Sequence, residues 1–186
     1  MKESALYYLS NIFNMYAWDY ITLAIVVFVI SLTFLLMKHF LKHDKKVFQA
    51  IALAAFFVYL AMVIYSSILN KDIDSSSFSV SLIPFSSYRK ALGGDSAFLR
   101  KTIMTIALYY PIGFLYCLID TKKINYKKWP IIAMSAALSL VIEILQYVFH
   151  LAYVQTDDII GNTLGCCLGI LAYILLDYLT FNERDF

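Results

Sequence analysis

The chain has 186 residues, of which 61% are hydrophobic and 15% charged, and its mean hydropathy is +0.72. A soluble domain carries about 25% charged and 45–50% apolar residues, so the main solvent here is lipid and a water-soluble enzyme is excluded. The formal net charge of +2 comes without basic residues gathered on one face, which excludes a nucleic-acid partner.

A bilayer core of about 30 Å is crossed by about 20 apolar residues. Runs near that length occupy residues 20–37, 47–69, 102–119, 131–149 and 159–176. The expected fold is all-α, a polytopic transmembrane helix bundle of about five spans. Residues 1–70 would hold an interfacial segment marked by Tyr7, Tyr8, Tyr16 and Trp18, then two spans; residues 71–186 would hold an outer loop and three spans. Pro111 and Gly113, mid-way along the third span, predict a kink or a close approach of a neighbouring helix. Cys117, Cys166 and Cys167 lie inside apolar runs without a CxxC pair, so they are expected to pack rather than to form disulfides or hold zinc.

Two short connections, 38–46 and 120–129, are rich in Lys, whereas 150–156 has no Lys or Arg. The positive-inside rule then places the Lys-rich pair in the cytoplasm, with the N-terminus outside and the C-terminus inside. The long connection 70–101 carries Lys71, Arg89, Lys90, Arg100 and Lys101 and falls outside in this arrangement. Long loops translocate with less regard to charge. Within it, Phe78 to Phe85 is apolar but too short to span, and Pro84 forbids a regular helix across the middle. Two readings stay open: a re-entrant loop tucked between helices, or an interfacial loop resting on headgroups.

The chemistry concentrates in the last two spans. Glu143 and Gln146 are three residues apart and share one helix face, which His150 extends; Asp158 and Asn162 are four apart on the next helix. The short link between these spans makes them antiparallel neighbours, so Glu143, Gln146 and Asn162 are expected to meet just inside the outer surface, with Asp157 and Asp158 at its lip. A carboxyl so deep in an apolar helix must pair, line water or hold its proton, which makes Glu143 a candidate for binding or for catalysis. The competing reading is interhelical glue, worth about 0.6–2 kcal/mol per contact. Gly161, Gly165 and Gly169 form a small-residue stripe suited to helix packing. Glu143, His150, Asp157 and Asp158 lack ligand-dense spacing, so no metal and no cofactor is expected. Ser135 and Ser139 have no recognisable base beside them and read as packing residues.

These residues resemble the VanZ-like family of bacterial membrane proteins. The resemblance rests on Glu143-Ile-Leu-Gln146, on Asp157-Asp158-Ile-Ile-Gly-Asn162-Thr163-Leu-Gly165 with Gly169, on Ser81-Leu-Ile-Pro84-Phe85 followed by Tyr88, and on Pro111-Ile-Gly113-Phe. It adds Ser81, Pro84, Phe85 and Tyr88 to the candidate binding residues. It departs from the family where an Arg and then an Asp usually precede the paired aspartates; Ala152 and Gln155 stand there. The resemblance implies a multi-pass protein of the bacterial cytoplasmic membrane, associated with low-level resistance to teicoplanin and related lipoglycopeptides. Its partners would be membrane lipids and a lipid-linked cell-wall precursor or lipoglycopeptide, bound without catalysis at the outer leaflet. Two alternatives remain: an intramembrane enzyme modifying a lipid headgroup with Glu143 and Asp157 or Asp158, and a small proton-linked transporter.

Overall fold

The computed structural model describes residues 44–69, 80–119, 128–151 and 154–181, together with Ile25, Val29 and Leu32, which are helical. The remainder of the expected first span, the aromatic N-terminal segment, most of both Lys-rich connections, the polar stretch at 71–77 and Ala152 lie outside the described residues.

Helix α1 (Lys45–Ile64) starts at Asp44, whose side chain accepts from Lys46 N at 3.1 Å, and ends in a π-helical turn at Tyr65–Leu69. A two-residue strand β1 (Val80–Ser81) and a short helix α2 (Ser86–Leu92) precede helix α3 (Ser96–Ile119). Helix α4 (Trp129–Val148), strand β2 (Val154–Gln155) and helix α5 (Thr156–Phe181) complete the order. Four helices among the described residues are long and apolar enough to cross a membrane. Their burial pattern is inside-out relative to a soluble bundle. On α4, Ser135, Ser139, Glu143 and Gln146 are buried while Leu140, Val141 and Ile144 are exposed. Lipid accepts that apolar face at no cost, whereas the polar stripe has to find partners inside the protein.

The connection 70–101 is shorter as a loop than the charge pattern suggests. Arg100 and Lys101, counted with the loop, belong to α3, and residues 86–92 are helical. Charges near the end of a span can reach the surface or an acidic partner along their aliphatic stems, so they do not stop the helix.

The bundle is built around α3. Gln49 Nε2 donates to Ile119 O at 3.2 Å and Tyr59 Oη to Leu108 O at 2.9 Å, so α1 runs antiparallel to α3. Tyr59→Phe removes the second bond, which fastens α1 to the middle of α3. A loss of about 1 kcal/mol is expected, read as a lower melting temperature in detergent. Helix α5 runs parallel to α3 at backbone contact: a Cβ on Gly165 would land on the carbonyl oxygen of Ile106, one on Gly169 on that of Tyr110, and one on Gly113 on that of Cys166. Helix α4 runs antiparallel to α5, and a parallel β1–β2 pairing, Val80 to Val154 and Ser81 to Gln155, ties the α2 loop to the link before α5. The end of α1, all of α2, the start of α3, the end of α4 and the start of α5 therefore gather at one end of the bundle.

Candidate functional site

That end holds most of the polar side chains singled out above. Asp157 is buried at 4% exposure and its carboxylate is saturated. Oδ1 accepts from Phe85 N at 2.5 Å; Oδ2 accepts from Ser87 N at 2.6 Å and Ser86 Oγ at 3.3 Å. It thus sits in the first turn of α5 while closing the N-terminus of α2, where two sets of unpaired amides favour negative charge. This latch also holds Phe85, which adopts φ 62°, a left-handed conformation that a side chain with a Cβ takes up only at a cost.

The Pro84 loop is therefore both pinned and exposed. Ser81 Oγ lies 3.1 Å from Ser86 Oγ on the latched side, while Leu82, Ile83, Pro84 and Phe85 point outward. Tyr88 lies against Phe85, ring centroids 5.9 Å apart, and its hydroxyl is buried without a hydrogen-bond partner beside Gly161. Burial, reinforced by the Asp157 and Asp158 carboxylates, holds this phenol above the ordinary tyrosine range, so it stays a donor.

Behind the latch is a second group. Lys101 Nζ pairs with Asp158 Oδ2 at 2.9 Å and donates to Gln155 Oε1 at 2.9 Å. Gln155, 1% exposed, also accepts from Ser87 Oγ at 2.8 Å, and its backbone N–H donates to Glu143 Oε2 at 3.2 Å. Glu143 is thereby tied through Gln155 to the Lys101–Asp158 pair. Glu143, Asp158 and Lys101 thus come from three helices, α4, α5 and α3. Lys101 supplies the cation that the Ala152 position does not, and Gln155 fills the place of an acid with an amide that serves both neighbours.

The other expected partners separate. Asn162 Nδ2 donates to Ser139 Oγ at 2.6 Å, one turn deeper than Glu143, leaving Asn162 Oδ1 buried and unpartnered. Gln146 Nε2 donates to Ser67 O at 2.8 Å, in the π-helical turn ending α1. Tyr109, from α3, is buried at 1% exposure with its hydroxyl unpartnered. His150 takes φ 52° as the left-handed residue ending α4. The bonds Leu151 N to Gln146 O and His150 N to Tyr147 O make this a Schellman end. Among the described residues no group of three or more His, Cys, Asp and Glu side chains is placed to hold a metal ion.

Sequence reasoning missed Lys101, Ser87 and the bonding role of Ser139. No pattern in the sequence marks Lys101, which reaches Asp158 only because α3 packs parallel to α5.

A profile for the family VanZ/LLP1 matches residues 46–177. No curated protein and no solved structure matches the chain. The match runs from α1 into α5, takes in the Pro84 loop, the glycine-packed helix pair and the Lys101 cluster, and covers well over half of the sequence; the chain belongs to the VanZ/LLP1 family of membrane proteins.

Proposed function

We propose that the polar end of the bundle binds a lipid-linked or lipid-like ligand at the outer leaflet of the bacterial cytoplasmic membrane, and that this binding underlies resistance to teicoplanin and lipoglycopeptides. The observation that carries the reading is the Lys101–Asp158 ion pair with Glu143 behind it, an ionised group held where a span meets the membrane surface. Structural glue can be made from neutral side chains, as Asn162 with Ser139 and Gln146 with Ser67 demonstrate. A charged cluster beside them costs desolvation that a polar ligand would offset. The Tyr88 hydroxyl and Asn162 Oδ1 keep hydrogen-bonding capacity in hand, which suits a head bearing hydroxyl, amino or amide groups. The outward Leu82, Ile83 and Phe85 suit the chain that follows such a head.

The test is untargeted lipid mass spectrometry on purified wild type and Lys101→Met. The expected result is a co-purified amphiphile that the variant loses about tenfold or more, since a hydrogen bond to a charged group contributes about 1.5–3 kcal/mol. An identical lipid profile in both would contradict the reading.

A second reading is favoured by one arrangement, the Glu143 and Asp158 carboxyls both joined to Gln155 and Lys101, acids placed as proton transfer to a headgroup would need. An intramembrane enzyme would convert a component of a lipid extract, whereas a binder would leave the extract unchanged.

A further inference from the structure

The side of α3 facing away from the Lys101 cluster carries a separate feature. Ile103, Ile106, Ala107 and Tyr110 line a groove of about 320 Å³ whose open surface is apolar. Their spacing of three, four and seven residues places them on one side of the helix. Ile103, at 42% exposure, forms the open rim, and Tyr110 closes the inner end with its ring stacked on Phe114 at 6.4 Å. From Ile103 to Tyr110 the helix rises about 10 Å, so the groove descends from the polar end into the depth of the acyl chains.

One turn before Ile103, toward the same side, stands Arg100, half-buried near the polar end of the bundle. Arg89 and Lys90, exposed on α2, add positive charge at that end of the molecule. A guanidinium matches phosphate oxygens in geometry and charge, and an apolar groove directly below it takes a hydrocarbon chain. We propose that this face of α3 is a binding site for one anionic phospholipid, with its phosphate at Arg100 and an acyl chain along Ile103, Ile106, Ala107 and Tyr110. Charge selects the occupant: a zwitterionic phospholipid offers the same chain but meets Arg100 with a cancelling ammonium. The site shares no residue with the Lys101 cluster and stands or falls independently of the function proposed above.

The experiment is native mass spectrometry of the full-length protein in detergent with added phosphatidylglycerol or phosphatidylcholine. Wild type is expected to retain phosphatidylglycerol about tenfold better, a single charge-assisted contact's worth. Ala107→Phe fills the groove from its outer side and should lose adducts of both lipids, with an unchanged melting temperature in lipid-free detergent. Arg100→Gln should keep the adducts but equalise the two lipids. Should Ala107→Phe lower the folded yield, Ile103→Trp at the rim repeats the test and must lose the adducts as well. Wild-type adduct levels in a folded groove-filling variant, or a phosphatidylglycerol preference that survives Arg100→Gln, would overturn the proposal.

Discussion

Gly165→Ala is expected to remove most of the folded protein from the membrane. The added methyl would occupy the position of the Ile106 carbonyl oxygen, a backbone atom inside a helix that cannot swing aside as a side chain can. Helices α3 and α5 would have to separate, and that one contact organises the rest: α1 and α2 also pack on α3, and α4 on α5. Overpacking costs about 1–3 kcal/mol where the surroundings can adjust, and here both walls are main chain. Gly169→Ala and Gly113→Ala meet backbone in the same way and should behave alike. Gly161→Ala differs, because its new methyl meets the Thr105 side chain at 3.0 Å and the Tyr88 hydroxyl at 3.2 Å, groups that can shift. Folded yield by fluorescence-detected size exclusion should rank Gly161→Ala close to wild type and the other three far below it. Equal yields for all four would mean that the helices do not pack in this register.

The second large effect is expected from Asp157→Asn. The carboxylate accepts from two backbone amides and one hydroxyl. An amide supplies only one accepting oxygen, and its NH2 must then face another donor. Hydrogen bonds to a charged group contribute about 1.5–3 kcal/mol each, and two at this site anchor a residue held at positive φ. Losing the latch should free Phe85 and unwind α2, exposing the chain at Arg89 and Lys90. Trypsin cleavage there should accelerate by about tenfold or more, the factor for roughly 1.4 kcal/mol of lost protection, while α3 and α5 stay intact. Unchanged cleavage would show that Asp157 does not hold the loop.

Much of this arrangement can be read from spacing alone. Glu143 and Gln146 share a buried face, as their three-residue separation requires, and the glycine ladder packs, as small residues in an apolar helix do. The partners are another matter, because period and composition describe one helix at a time. The link between α4 and α5 makes them antiparallel neighbours, yet the glycine face of α5 turns to α3, whose own matching residue is Gly113. Gln146 finds a carbonyl opened by a π-helical turn 79 positions earlier, and no local pattern marks that turn. Lys101 was hidden by its charge. In a stretch rich in Lys and Arg it counts as loop, and only the parallel packing of α3 on α5 brings it to Asp158. The dual character of the Pro84 loop has a similar origin, since its outward apolar side is legible in Leu82 to Phe85 while its latched side depends on a carboxylate more than seventy residues away.

The role proposed for the charged cluster at the polar end is recognition and not merely helix packing. Glu143→Gln tests it most directly, because the amide keeps the size of the side chain and can still accept from Gln155 N–H while losing the charge and the titration. Wild type, Glu143→Gln and Glu143→Leu would be expressed at matched levels and compared for lipoglycopeptide susceptibility and for melting temperature in detergent. A folded Glu143→Gln protein, with a melting temperature close to wild type, is predicted to lose the lipoglycopeptide resistance proposed for wild type, whereas Glu143→Leu should lose both that resistance and stability. Full resistance with Gln at this position, in a protein as stable as wild type, would overturn a charge-dependent role and leave Glu143 as a neutral recognition group or as interhelical glue.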